Sequence, residues 1–357
     1  MHDKMKTVYI IFILLLVSCA SACSSVGYYV QSVQGELEIL RKSKPIDTLL
    51  EEKQLPQQLL DTLEQAGQIR EFAINELHLP DNNSYRQYAD LGRDYVVWNV
   101  FAAPELSPGN KHWCYLVVGC LDYRGYFSKD AAFQFARDLE QQGYDVYVGG
   151  VTAYSTLGWL SDPVLNTMLY RDITDLAKVI FHELAHQKIY IRDDTEFNEA
   201  FADTVAIEGV ERWLQQGKGP VMTRKFRQKQ EREDIFVKLV IHYRQRLDEL
   251  YRSQLPEPEK RMAKSQILQQ MVNDYQQERN SWSDGFTYDT WFALGINNAK
   301  LNAVTTYREY APGFKNLLRS VDNNLDRFYK LVEDLGKCPA EKRREILLSG
   351  VTAFSCR

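Results

Sequence analysis

The stretch KVIFHELAHQKIY, Lys178 to Tyr190, sets two histidines and a glutamate into an otherwise apolar run. Val179, Ile180, Phe181, Leu184 and Ala185 surround them at helical spacing, so the segment reads as a helix that is mostly buried. Buried polar groups are costly unless something partners them. Any fold built around this helix must therefore satisfy His182, Glu183 and His186. Residues four apart share one helix face, with Cβ atoms about 5–6 Å apart. Two imidazoles at that spacing both reach one zinc ion at about 2.0–2.1 Å. Glu183, beside the first of them, points near the open metal position, where a carboxylate takes a proton from bound water. The arrangement thus reads as two metal ligands, His182 and His186, plus a general base, Glu183.

A catalytic zinc site needs a third protein ligand and leaves its fourth position to water. NEAFADTVAIEG supplies a candidate: Glu199 lies thirteen residues after His186. The connecting QKIYIRDDT is long enough for a short turn and a helix start. Asp203 follows Glu199 by four, on the same helix face, where a carboxylate holds the free N–H of a ligating histidine and fixes its tautomer. Both require the second helix to pack antiparallel against the first. Glu196 and Glu208 are the nearest rivals; Glu196 lies close to the loop and Glu208 is nine residues on, off the face of Glu199.

The rest of the chain is organised around these two helices. Residues from about 31 to 79 carry apolar positions three and four apart and predict helices, broken by LPDNNSY. DYVVWNVFAA, HWCYLVVGCLDY and YDVYVGGVTAYS are rich in Val, Tyr, Phe and Trp and read as strands. SKDAAFQFARDLEQQG reads as an amphipathic helix capped by Ser128 and stopped by Gly143. From Asp162 onward almost everything reads as helix, with DPVLNTML as one start. Met222 to Arg252 and the segment after QLPEPE form a charged helical hairpin with a solvated face.

The N-terminus reads as an export signal. Lys4 and Lys6 precede the apolar run VYIIFILLLV, and small residues follow in SCASACSS. The run is too short to span a bilayer as a helix. A cysteine just after such a run is a lipid-attachment candidate, and both Cys19 and Cys23 fit. Cleavage before Cys23 leaves Cys114, Cys120, Cys338 and Cys356, an even number in an oxidising compartment. Cys338 can pair with Cys356. Cys114 and Cys120 share one apparent strand, over which six residues span roughly 20 Å, so they can bridge only if it bends. A formal net charge of −5 argues against nucleic acid as the main partner, which would want a basic surface.

His182-Glu183-x-x-His186 followed by Glu199-x-x-x-Asp203 resembles the glutamate-zincin metallopeptidases, the group that includes thermolysin, with a shorter spacing to the glutamate. More closely, the chain resembles a bacterial family of predicted zinc aminopeptidases, usually lipoproteins. The similar stretches are CSSVGYYVQSVQGELEIL, GGVTAYSTLGWLSDPVL, FHELAHQKIYIRDDTEFNEAFADTVAIEGVERWL and NNAKLNAVTTY. The resemblance implies a Zn2+ cofactor, a peptide substrate, an envelope location facing the periplasm, and membrane attachment only through a lipid, with Cys23 at the lipidated position. It also implies a substrate-binding edge strand, for which Gly149, Gly150 and Val151 are the candidates, by main-chain hydrogen bonding. An oxyanion donor is expected as well; Tyr154 and Tyr307 are candidates.

The expected fold is α+β, mainly α. A small zincin-like sheet packs on the metal-binding helix, and a helical C-terminal region with a long hairpin follows. The expected divisions are 1–22 for the signal, 23–160 for the N-terminal helices and sheet, and 161–357 for the metallopeptidase and C-terminal helices. The residues alone leave two alternatives to an aminopeptidase open: a zinc endopeptidase, and a non-catalytic envelope scaffold.

Overall fold

The structure, a computed structural model, describes residues 27–115, 119–169, 172–217, 219–282, 287–305 and 309–356. Cys19, Cys23 and Tyr307 lie outside the described residues. The fold is α+β and mainly helical. Helix α1 covers residues 27–42. After it come β1 (Lys44–Pro45), α2 (Ile46–Glu52) and α3 (Gln57–Asn75), then β2 (Gln87–Ala89) and β3 (Val97–Pro104). Next are β4 (Trp113–Tyr115), β5 (Gly119–Leu121), β6 (Tyr123–Tyr126), α4 (Lys129–Gln141), β7 (Tyr144–Val151) and β8 (Val164–Leu165). The remainder is helical: α5 (Ile173–Lys188), α6 (Thr195–Gln215), α7 (Pro220–Arg252), α8 (Glu257–Arg279), α9 (Asp289–Ala293), α10 (Asn298–Thr305), α11 (Ala311–Ser320), α12 (Leu325–Gly336) and α13 (Ala340–Ser349).

Helix α4 begins and ends where its sequence predicts: Ser128 Oγ accepts from the Ala131 amide, and Gly143 turns the chain at φ +84°. Two other segments differ from expectation. HWCYLVVGCLDY is not one strand; β4 and β5 pair antiparallel, with Cys114 opposite Cys120 and their sulfurs joined. Gly119, at φ +82°, opens β5 in the left-handed region, and a run rich in β-formers conceals the break. DPVLNTML does not open an α-helix; it forms β8 and a 3-10 turn at Asn166–Met168. Asp162 does not cap that segment but turns back, accepting from the amide and hydroxyl of Thr156 and the hydroxyl of Ser155. A disulfide also joins Cys338 to Cys356.

Strands β6, β3 and β7 form an antiparallel sheet in that order. Side chains alternate between its faces. Trp98, Val100 and Ala102 pack with Ala132, Ala136 and Leu139 of α4. On the other face Phe101 and Ala103 meet Ala299 and Ala303 of α10, while Val97 and Asn99 face a cavity on whose far side lies α5.

Helices α5 and α6 are antiparallel neighbours. Lys178 meets Asp203 one turn away from where His182 meets Glu199. Phe181, Leu184, Phe197, Phe201 and Val205 bury this contact in the main core, which also takes in Ile69 and Phe72 of α3 and Phe314 and Phe328 of α11 and α12. The α7–α8 hairpin builds a second core around Val240, Tyr243, Leu247 and Met271, joined by Phe292 of α9 and Leu301 of α10.

Gly209 fixes how closely α6 approaches. A Cβ there would sit 2.6 Å from Leu77 and 2.7 Å from Phe181, both fully buried. Gly209→Val is expected to cost about 1–3 kcal/mol of stability by overpacking. Urea unfolding of the variant against the parent checks this; an unchanged midpoint would mean that the two helices have slack.

Candidate active site

The chain between α5 and α6 is short and heavily braced. Asp194 caps α6, its side chain accepting from the Phe197 amide while pairing with Arg343 at 2.6 Å. Asn198 donates to the Ile191 carbonyl and accepts from the Ile191 amide, both at 2.7 Å. Asp193 accepts from the Cys120 amide at 2.7 Å, tying the β4–β5 hairpin to this loop. A Cβ on Gly119 would lie 2.1 Å from that Asp193 carboxylate, so glycine serves both the left-handed backbone and the close approach.

The bracing brings Nε2 of His182 and Nε2 of His186 to 3.1 Å from each other. Glu199 Oε2 lies 3.1 Å from the first and 3.6 Å from the second. Among the described residues, His182, His186 and Glu199 are the group of three whose ligand atoms converge closely enough to hold a metal ion. Donors held tetrahedrally around zinc at about 2.0–2.1 Å stand about 3.3–3.4 Å apart, so the three distances fit such an ion. Facing ring nitrogens cannot both donate to each other, and a cation between them resolves the conflict. Nδ1 of His186 is buried and makes no hydrogen bond among the described residues.

Electrostatics reinforce this geometry. Burial works against an ionised Glu199, yet the two imidazoles hold its carboxyl down at about 2. Burial also works against a charged His182, but the Glu199 carboxylate and the fields of Glu183 and Asp203 raise it overall. Glu183 is pushed up by burial, against the pull of both histidines. Asp203 pairs with Lys178 at 3.0 Å, and Lys178 also reaches Glu233 at 3.5 Å. The rival carboxylates are occupied elsewhere: Glu196 lies by Tyr310 and Arg344, and Glu208 pairs with Arg212 at 2.7 Å.

The donors open onto a cavity of about 520 Å3. Its walls are Tyr28, Tyr29 and Ser32 of α1, Tyr115 and Leu121 of the hairpin, Val97 and Asn99 of β3, and the strand exit Val151 to Leu157. Tyr154 lines it, packed edge-on against Phe127 at 5.2 Å, with its hydroxyl made a weaker acid by burial and by Glu36 and Asp162. Of the three edge-strand candidates only Val151 lines the cavity. Gly149 lies under the ring of Tyr147, and Gly150 lets Tyr95 lie against the opposite face, where a Cβ would be 2.5 Å from its ring. Among the described lining residues none is Lys or Arg, and the two acids are Glu183 and Glu199.

Two tyrosines were not singled out from the sequence. Tyr190 lines the cavity, and its hydroxyl is weakened as an acid by burial and the nearby Glu199. Its position four residues after His186 was the available signal. Tyr85 is 1 % exposed, its hydroxyl lacks a hydrogen-bond partner among the described residues, and it lies in the field of Glu183. No local pattern marks it.

A mainly helical fold with a small sheet, carrying a metal-compatible histidine–glutamate cluster in a cleft, defines a candidate hydrolase. Residues 27–347 match the family described as "Putative aminopeptidase", and the chain belongs to that family, which supports a peptidase function. No curated protein and no solved structure matches the chain.

Asp162 ties the strand exit at Ser155 and Thr156 to Gln187 of the histidine helix. It is 3 % exposed and takes hydrogen bonds from Ser155, Thr156 and Gln187. Asp162→Ala strands those donors, and a loss of about 1–3 kcal/mol is expected. Thermal unfolding measures it; a shift within error would show that the loop does not depend on this carboxylate.

Proposed function

We propose that the chain is a zinc-dependent aminopeptidase, exported and tethered to the bacterial envelope by a lipid on Cys23 or Cys19. The observation that carries the catalytic part is the convergence of His182 Nε2, His186 Nε2 and Glu199 Oε2 beside Glu183 in one cavity. Those three residues would hold the ion, which when bound polarises a carbonyl oxygen and acidifies water.

Glu183 takes a proton from the water that attacks the scissile carbonyl. It then delivers that proton to the departing amine nitrogen, so one carboxylate serves as base and then acid. Asp203, one turn along α6 from Glu199, adds to the negative field at His182 while pairing with Lys178. Tyr154 and Tyr190 line the same cavity and are the tyrosines we assign as donors to a developing oxyanion. The strand exit after Val151 lines the same cavity and is where an extended peptide would lie.

The wall composition favours cutting at the amino end. Without Lys or Arg among the described lining residues, a terminal carboxylate meets no cationic side chain in this wall. The two disulfides suit export to an oxidising compartment.

Glu183→Gln is expected to keep the metal while hydrolysis falls by about 10²–10⁴-fold. Metal analysis alongside peptide turnover decides it, and parental activity in the variant overturns the assignment of the base. A peptide with a free amino terminus should be cleaved while its acetylated twin is spared. Equal cleavage of the pair makes the protein an endopeptidase.

A further inference from the structure

Helix α1 presents an apolar stripe to the outside. Tyr29, Val30, Val33, Leu37 and Leu40 are 40–58 % exposed. At 3.6 residues per turn these five fall within an arc of about 100°. The opposite face is committed to the protein: Ile39 is in the core, Gly35 lies against the ring of Phe127, and Gln31 accepts from the Phe127 amide at 3.0 Å. The stripe is therefore set outward by the packing of the rest of the helix.

We propose that this stripe lies on the bilayer surface, so that α1 is a membrane-docking helix and not only the segment that follows an anchor. The occupant is argued from the chain before it, and in that respect the inference rests on the lipid-anchor reading. Cys23 precedes Gly27 by four residues and Cys19 by eight. At about 3.3–3.6 Å per residue, a lipid on either holds the start of α1 within about 14 or 29 Å of the anchored atom. An apolar helix face kept that close to acyl chains lies in the interfacial plane, about 5–10 Å into the headgroup boundary. Tyr29 at the start suits the headgroup level, and exposed Arg41 and Lys44 follow the stripe where phosphates are met.

The docking has a consequence for substrate. Tyr29 belongs both to the stripe and to the cavity wall. The rim of the cavity therefore adjoins the lipid surface, and the peptides it receives are those held at or close to the membrane.

The full chain, produced in a bacterial host and inserted into vesicles of phosphatidylethanolamine and phosphatidylglycerol, tests this. A photoreactive benzoylphenylalanine is placed in turn at the positions of Val33, Leu37 and Leu40, with exposed Gln269 of α8 as the control. Lipid adducts are expected at the first three at about tenfold or more over the control, as for a face buried at the headgroup boundary. In the double variant Val33→Glu, Leu37→Glu, both sites being exposed, the adduct at Leu40 should fall to the control level while the unfolding midpoint stays put. Adducts to a second copy, adducts to the chain's own leader, or none at all overturn the proposal. Mass spectrometry of the N-terminal peptide reports lipidation separately, and the peptide-pair assay reports the enzyme, so failure of the stripe is distinguishable from failure of either.

Discussion

The antiparallel contact of α5 with α6 is the constraint on which the rest of the molecule depends. Its apolar side, with Phe181, Leu184, Phe197 and Phe201, merges into the main core. Its polar side holds two imidazoles and a carboxylate within 3.6 Å. Sliding one helix by a turn would carry Glu199 away from the histidines and Asp203 away from Lys178 together. The braces between the helices oppose that slide: Asn198 closing on Ile191, Arg343 on Asp194, and Gly209 setting the depth of contact.

Most of the ionisable groups buried here have a defined neighbour. Glu199 remains charged through the imidazoles, Asp203 is met by Lys178, and Asp162 is satisfied by hydroxyl and amide donors. Glu183 is raised by its burial and is the acid of this group that the proposed chemistry uses. The hairpin and α1 border the space beside these groups with tyrosine rings.

The helical half of the chain was legible from periodicity, and α4, α5, α6 and the α7–α8 hairpin stand where their patterns predict. The histidines and Glu199 were readable because the 3.6-residue repeat turns spacing into position. Reading failed where conformation depends on partners distant in sequence. One was the break at Gly119, packed against Asp193; the other was Asp162, whose cap-like position is overridden by Thr156 and Ser155. Tyr85 reaches the neighbourhood of Glu183 only through tertiary packing, and the cavity itself joins α1, the sheet and α5, which no window of sequence spans.

The brevity of the α5–α6 link bears on how the molecule assembles. All three donor residues fall between positions 182 and 199, so little chain entropy is lost in bringing them together. The cleft, by contrast, needs α1 and β3 to return from far along the polypeptide. The helical pair that carries the proposed ion ligands can thus form early during folding, while the shape of the cleft waits for slower, long-range closure. The proposed cation capture and peptide recognition are then separable in time as well as in space.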